Sequence, residues 1–355
     1  MIQTTLTDKI YSWIKNDYLV LLKRKNRLGK SIEDKQKSGL LGIKNEISGK
    51  SIEINTGKNN SPQWASRNPS DYIDYIEKIE ELYEELLVLR PSEFDAKISE
   101  FESIISREEI DLPIRLDGTP AGSFADKIVD ALCYTSIRDS VAPRFFKALN
   151  IRSCVYCNAN YAITDANGDA YYDLDHWKPK ALYPYLSASF FNFQPSCPSC
   201  NRRKSNKDND IKKGQVFFHI WDETGVPSEV LRFELSRLSL VKYLVYHDSE
   251  DLSVSLQDAS GTRSGRTLCT TAENTFHING RYHEHNDYLE EIIWKSQVYN
   301  PSGLKALEQV LGNTLPKYVD PLRFILGNYI APEDTHKRPL SKLTQDIAKQ
   351  LSLIP

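Results

Sequence analysis

No run of about 18 apolar residues, the length a membrane-spanning helix needs, occurs in this chain of 355 residues. That absence argues against a membrane span. The first residues, MIQTTLTDKIYSWIKNDYLVLLKRK, lack the basic stretch, apolar core and small-residue cleavage site of a secretory signal. Both absences lead to the expectation of an intracellular, cytoplasmic protein. Strong net charge is missing too: the formal charge is only -3, so whole-chain electrostatics neither demand nor exclude a polyanionic partner. No internal repeat is visible. What is present is the composition of an ordinary folded protein, 40% hydrophobic and 26% charged, on a chain long enough to bury a substantial core and form two or three structural units.

The pattern along the chain predicts an α+β protein in three parts. Residues 1–150 read as a helical unit, suited to docking a partner or to regulation. Apolar residues recur at helical spacing from Asp8 to Leu28, again from a cap at Ser70 to Arg90, where Pro91 follows, and from a capping box of Ser92 and Asp95 through Ile105. Two further helices are expected at 123–138 and 142–149. The polar, Gly- and Asn-rich stretch from Leu41 to Ser70 reads as a long loop. A second unit, 151–213, changes character. Tyr161–Thr164 and Ala170–Leu174 are strand-like runs around Asp165-Ala166-Asn167-Gly168, a hairpin signal. Residues 214–355 form a third, mixed α/β unit, with β-like runs at QVFFHIW, LRFEL and LSVSL, helices at about 286–299 and 302–313, and a terminal helix after Pro339.

Chemistry concentrates in the second unit. Cys154 and Cys157 form one Cys-x-x-Cys pair and Cys197 and Cys200 another, with 39 residues between them. Each knuckle can aim two thiolates at one tetrahedral Zn²⁺, and four protein ligands leave no open position, so the expected role is structural. Cys133, in an apolar helical pattern, and Cys269, in a polar loop, have no evident partner. Between the pairs lie Asp175 and His176 at the end of the run DLDH, Asn192 in FFNF, and then Asn201 directly after Cys200, heading a short helix expected at 198–207.

Asp175, His176 and Asn201 in one cleft suit phosphodiester hydrolysis. Asp175 and Asn201 offer oxygen ligands to a hard divalent cation such as Mg²⁺. His176 can take the proton from the attacking water, with Asn192 orienting its ring. From Trp177 to Lys213, eight Lys and Arg face two Asp, a local surplus of +6 on a chain whose total is negative. Lys178, Lys180, Arg202, Arg203, Lys204 and Lys207 are the candidate phosphate contacts. Neighbouring aromatics, Trp177, Tyr183, Tyr185, Phe190, Phe191 and Phe193, are expected to form the small core beneath the hairpin. His277, His283 and His285, though close together, read as an exposed helix start and not as a metal site.

CVYC, DHWKPK, NF and CPSCNRRK resemble the HNH, or ββα-metal, endonucleases whose catalytic hairpin is flanked by two Cys-x-x-Cys pairs. The nearer likeness is to the HNH proteins of Septu and retron anti-phage defence systems. The resemblance covers roughly residues 150–210. It implies His176 as general base, Asp175 and Asn201 at a catalytic divalent metal, Asn192 as the middle Asn, and structural zinc on the four cysteines. It further implies DNA as substrate, products ending in 5′-phosphate and 3′-hydroxyl, and an ATPase as partner. Asn201 stands where many members have a third His, which favours Mg²⁺ or Mn²⁺. Two alternatives stay open: RNA as substrate, since the attacking water needs no sugar hydroxyl, and a zinc-stabilised binding module without catalysis.

Overall fold

The computed structural model describes residues 2–57, 61–210, 214–223, 230–299, 303, 309 and 320–354. It is a mixed α+β protein. In chain order its first part comprises β1 (Thr4–Thr5), α1 (Asp8–Lys23), α2 (Ile32–Ile47), β2 (Ile52–Asn55), β3 (Trp64–Arg67), α3 (Pro69–Glu81), α4 (Tyr83–Leu87), α5 (Phe94–Glu102), α6 (Arg107–Ile110), β4 (Pro113–Leu116), β5 (Thr119–Ser123), α7 (Phe124–Ala131), α8 (Tyr134–Ser140) and α9 (Ala142–Ala148). The expected helices are there. The expectation of a helical unit is incomplete, because β3-β2-β4-β5 form a four-stranded antiparallel sheet within it.

The stretch expected to be a loop from Leu41 to Ser70 supplies half of that sheet and the end of α2. A Ser31–Asp34 capping box starts α2, and Leu40, Ile43 and Ile47 on its inner face are buried. Gly39 lets α2 approach α7 closely, since a Cβ there would sit 2.9 Å from the Ala131 Cα. The cap of α3 is Asn68 with Pro69 at the first helical position, two residues before the expected cap at Ser70. Ser92 does not cap α5; its backbone N–H is bound by Glu223.

The middle part carries β6 (Ile163–Thr164), β7 (Ala170–Tyr171), β8 (Asp173–His176), β9 (Phe193–Ser196) and α10 (Pro198–Lys204). The expected hairpin forms, β6 against β7. A second antiparallel pair, β8 with β9, matches Asp173 to Ser196 and His176 to Phe193, and α10 follows β9 after one residue. The last part holds β10 (Trp221–Asp222), β11 (Leu231–Leu235), α11 (Arg237–Tyr246), β12 (Val254–Asp258), α12 (Arg263–Phe276), α13 (Ile278–His283), α14 (Asn286–Val298), α15 (Pro321–Leu326) and α16 (Ser341–Gln350). Of QVFFHIW only Trp221 becomes strand, where β10 pairs in parallel with β1. LRFEL and LSVSL pair as β11 and β12. Cys269, expected in a loop, lies within α12, and Cys133 is the left-handed joint between α7 and α8. The helix expected at 302–313 falls outside the described residues apart from 303 and 309, and so do Lys212 and Lys213.

One connected core runs from Leu6 to Leu353. Tyr183, Tyr185, Phe190, Phe191 and Phe193 are all buried in it, as their sequence context suggests. Tyr18 of α1 donates its hydroxyl to the Ala188 carbonyl at 2.6 Å, which ties the N-terminal helix to the long β8–β9 connection. From the other end of the chain, the loop before α16 closes on the first knuckle: the Leu340 N–H reaches the Asn158 carbonyl at 2.7 Å and the Lys342 N–H reaches Asn158 Oδ1 at 2.9 Å. Both ends of the sequence therefore brace the 154–204 segment. Among the described residues no helix is long and apolar enough to cross a membrane.

Candidate metal centre and cleft

The four knuckle cysteines converge. Their Sγ atoms all lie within 4.8 Å of one another, and all four residues are buried. A tetrahedral metal with about 2.3 Å bonds to sulfur needs S–S separations near 3.8 Å, so the set fits a metal such as zinc. The surroundings fit as well. Asn160 Nδ2 points to Cys197 Sγ at 3.4 Å, and Arg281 Nη1 to Cys200 Sγ at 3.5 Å. These donors would disperse the negative charge of the thiolates on a bound metal. Without a cation the crowding is unfavourable, and burial pushes the Cys154 thiol well above its ordinary value. Tyr282, next to Arg281 on α13, donates to the Cys157 carbonyl at 2.7 Å. Arg281 lies 81 residues from Cys200, and nothing in the sequence pairs them.

Beside this centre, β8, α8 and α10 enclose an open cleft of about 810 Å³ lined by Tyr134, Asp173, Asp175, His176, Lys180 and Asn201 among others. The expected trio of Asp175, His176 and Asn201 is brought to one cleft. Asp173 joins it and was missed. A two-residue period along a strand puts Asp173 and Asp175 on one face, so the signal was there in DLDH. Asn201 Nδ2 donates to Asp173 Oδ2 at 3.0 Å, and among the described residues no donor engages the Asn201 amide oxygen. Among the described residues only the cysteines gather three or more His, Cys, Asp or Glu ligand atoms.

His176 is buried, packed against Tyr134 with ring centroids 4.6 Å apart and against Phe193 at 5.4 Å. Its Nε2 lies 3.0 Å from the Ser187 carbonyl. A carbonyl only accepts, so Nε2 carries the proton and the lone pair falls on Nδ1. Burial pushes the imidazole pKa down to about 3, with the Ser187 carbonyl opposing, which keeps the ring neutral near pH 7.

Asp175 is held from two sides. Tyr156 donates its hydroxyl to Oδ2, and the Lys204 ammonium lies 3.4 Å from the same oxygen. Burial raises the carboxyl pKa, and Lys204 is the strongest influence lowering it. Gln194 completes the network, donating to the Tyr156 hydroxyl at 2.7 Å and accepting from the Ile220 N–H at 2.7 Å. Neither Tyr156 nor Gln194 carried a sequence signal.

Three expectations are corrected. Asn192 makes no bond to the His176 ring and precedes β9 in a short 3₁₀ turn. Its side chain instead braces the connecting loop, accepting from the Lys178 N–H at 2.7 Å and donating to the carbonyls of Lys178 and Leu186 at 3.0 and 3.2 Å. That fixes the residue before Ser187, so Asn192 positions His176 through the loop. Lys204 is no phosphate contact: it is fully buried, and its ammonium also donates to the His176 carbonyl at 2.7 Å. Lys178 is buried as well, between the rings of Trp177 and Tyr183, with its ammonium 3.3 Å from Asp95. Of the other basic candidates, Lys180 and Arg202 line the cleft, while Arg203 and Lys207 are exposed beside it. His277 and His283 are exposed and His285 half-buried; among the described residues they gather no ligand set.

Comparison with protein-family models, with curated proteins and with solved structures gave no match.

Proposed function

We propose that this chain is a metal-dependent endonuclease of the HNH, ββα-metal type that hydrolyses DNA phosphodiester bonds, built on β8, β9 and α10 and held by a structural zinc on Cys154, Cys157, Cys197 and Cys200. The observation that carries the reading is the His176 ring at the cleft, with Nε2 pinned on the Ser187 carbonyl. That bond leaves Nδ1 as the acceptor, and no hydrogen bond from the described residues occupies it. Nδ1 is the atom that takes a proton from the attacking water. Burial keeps the ring neutral and available, and a phosphate entering the cleft brings negative charge that favours the imidazolium formed on proton transfer.

Asp175 Oδ1, the Asn201 amide oxygen and the Asp173 carboxylate are the oxygens that would hold Mg²⁺ or Mn²⁺; when bound, that ion stabilises charge on the phosphate and on the leaving 3′ oxygen. Lys204 and Tyr156 orient Asp175 from behind and oppose the rise that burial imposes on its carboxyl, and Asn192 holds the loop that aims His176. The resemblance to Septu and retron proteins supports a role in anti-phage defence beside an ATPase.

One observation favours a second reading, a zinc-stabilised binding module: Oδ2 of Asp175 is already committed to Tyr156 and Lys204. Cleavage of plasmid and linear DNA with Mg²⁺ or Mn²⁺, beside RNA of the same sequence, an EDTA control and His176→Ala, separates the readings. Cutting that vanishes in a folded, zinc-replete His176→Ala supports the nuclease. Cutting that survives in it sinks the assignment, and RNA-only cutting moves the substrate.

A further inference from the structure

Four carboxylates line the catalytic cleft, Asp139, Asp169, Asp173 and Asp175, against three cations, Arg138, Lys180 and Arg202. Arg138 is in addition paired with Asp139 at 2.6 Å. A cleft with that balance suits a divalent cation but has little grip on a polyanion. The grip has to come from elsewhere on the surface.

Helix α8 separates this cleft from another of about 430 Å³. Tyr134, Arg138 and Asp139 face the catalytic side, while Ser136 and Ser140 of the same helix line the other. The second cleft is closed by the C-terminal end of α1, the turn into α2 and the start of α9. Five cations line it, Arg24, Lys25, Lys30, Lys35 and Arg144, and no carboxylate does. All five are exposed, and among the described residues none has an ion-pair partner. Asp34 stands near Lys25, but its carboxylate is engaged on the Ser31 N–H at 2.9 Å as part of the α2 cap. Five cations collected in one concavity of a chain with net charge -3 repel one another, a cost that an anion spanning the cleft removes.

We propose that this cleft binds the phosphodiester backbone of the nucleic acid whose scissile bond lies across α8, a reading that rests on the proposed nuclease function for the far side of the helix. The spacing suits a strand. A helix with its side chains is about 10–12 Å across, and a DNA strand places one phosphate per 3.4 Å of duplex axis, so the cationic cleft meets phosphates about three steps from the bond cut. Contacts of this kind carry no base information; they set affinity and register.

The test uses the full chain and the double variant Lys30→Ala/Arg144→Ala, which removes one cation from the α1–α2 turn and one from α9. Binding of a fluorescent duplex is read by anisotropy without added divalent ion, over a series of salt concentrations. The expected result is a salt slope smaller by about two and an affinity lower by about tenfold per lost phosphate contact at 0.1 M salt. With Mg²⁺, KM should rise and kcat at saturating DNA should stay unchanged. Lys349→Ala, an exposed lysine on α16, controls for the loss of charge alone and should leave both readings as in wild type.

An unchanged slope and affinity in the double variant overturn the proposal, and so does displacement of the duplex by ATP or pyrophosphate at micromolar concentration, which would mark a small-anion site. The two readings fail separately. A chain that binds through this cleft yet never cuts loses the nuclease function and keeps the cleft. A chain that cuts in a His176-dependent way and ignores the double variant loses the cleft and keeps the nuclease.

Discussion

Replacing Lys204 with Met tests the support behind the Asp175–His176 cleft most directly. Its ammonium is fully buried and serves both the His176 carbonyl, at 2.7 Å, and the Asp175 carboxylate, at 3.4 Å. Methionine fills similar space but leaves a buried carboxylate with only hydrogen-bond donors, the Tyr156 hydroxyl and the His176 backbone N–H, and no cation against it. Removing one partner of a buried ion pair typically costs about 3–5 kcal/mol. For a chain of this length that is a fall in Tm of roughly 5 °C if unfolding is cooperative. Urea unfolding and thermal melts of the zinc-loaded protein, with zinc content measured beside them, read the cost. Adding Asp175→Asn should return part of it, because the uncompensated charge is gone, and the double-mutant cycle should show a coupling of about 1–3 kcal/mol. A loss under about 1 kcal/mol with no coupling would refute the reasoning and mean that Lys204 stays solvated.

Cys197→Ser should lose about one zinc per chain and loosen the β8–β9–α10 segment, read by metal analysis and hydrogen exchange; normal zinc content would defeat the four-cysteine site. Asn192→Ala removes the brace on the loop that carries Ser187, so kcat should fall by tenfold or more with KM little changed; an unaltered kcat would show that the loop needs no brace. His219, whose Nε2 lies 3.0 Å from the Phe191 carbonyl, has its pKa pushed down to about 3 by burial. Between about pH 6.5 and pH 3 the unfolded chain therefore binds more protons there than the folded one. Stability is complete above pH 6.5 and is lost as pH falls through that window, by at most about 2 kcal/mol at pH 5, since the ring keeps an edge in solvent. His219→Gln should flatten that acid slope in denaturation curves; an unchanged slope would assign it to other groups.

The four-cysteine cluster was legible because its information is local. Two Cys-x-x-Cys knuckles state their chemistry in four residues each, and the expected hairpin, the strand at DLDH and the helix after Cys200 all form where the spacing puts them. The sheet in the first part was not legible for the opposite reason. β2 and β3 sit in polar, Gly-rich text, and β2 takes its second partner from β4, about 60 residues on, which local pattern cannot see. Cys269 was misplaced in a loop because the polar face of α12 outweighs its buried stripe of Thr271, Ala272, Thr275 and Phe276.

The sequence by itself determined which residue types meet a metal and which helices and strands carry them, since ligand chemistry and periodicity act over a few residues. Only the tertiary structure decided what each polar group does once there. Lys178 and Lys204 belong to one basic run on paper, yet packing buries both and turns them inward. Asp175 gained Tyr156, and His176 gained Ser187, through contacts between distant segments. The charge that could hold a polyanion lies at Arg144, just before the motif, and in residues 24–35, far from it in sequence, all one helix away in space. Burial and long-range packing set those roles, because both depend on where the whole chain folds.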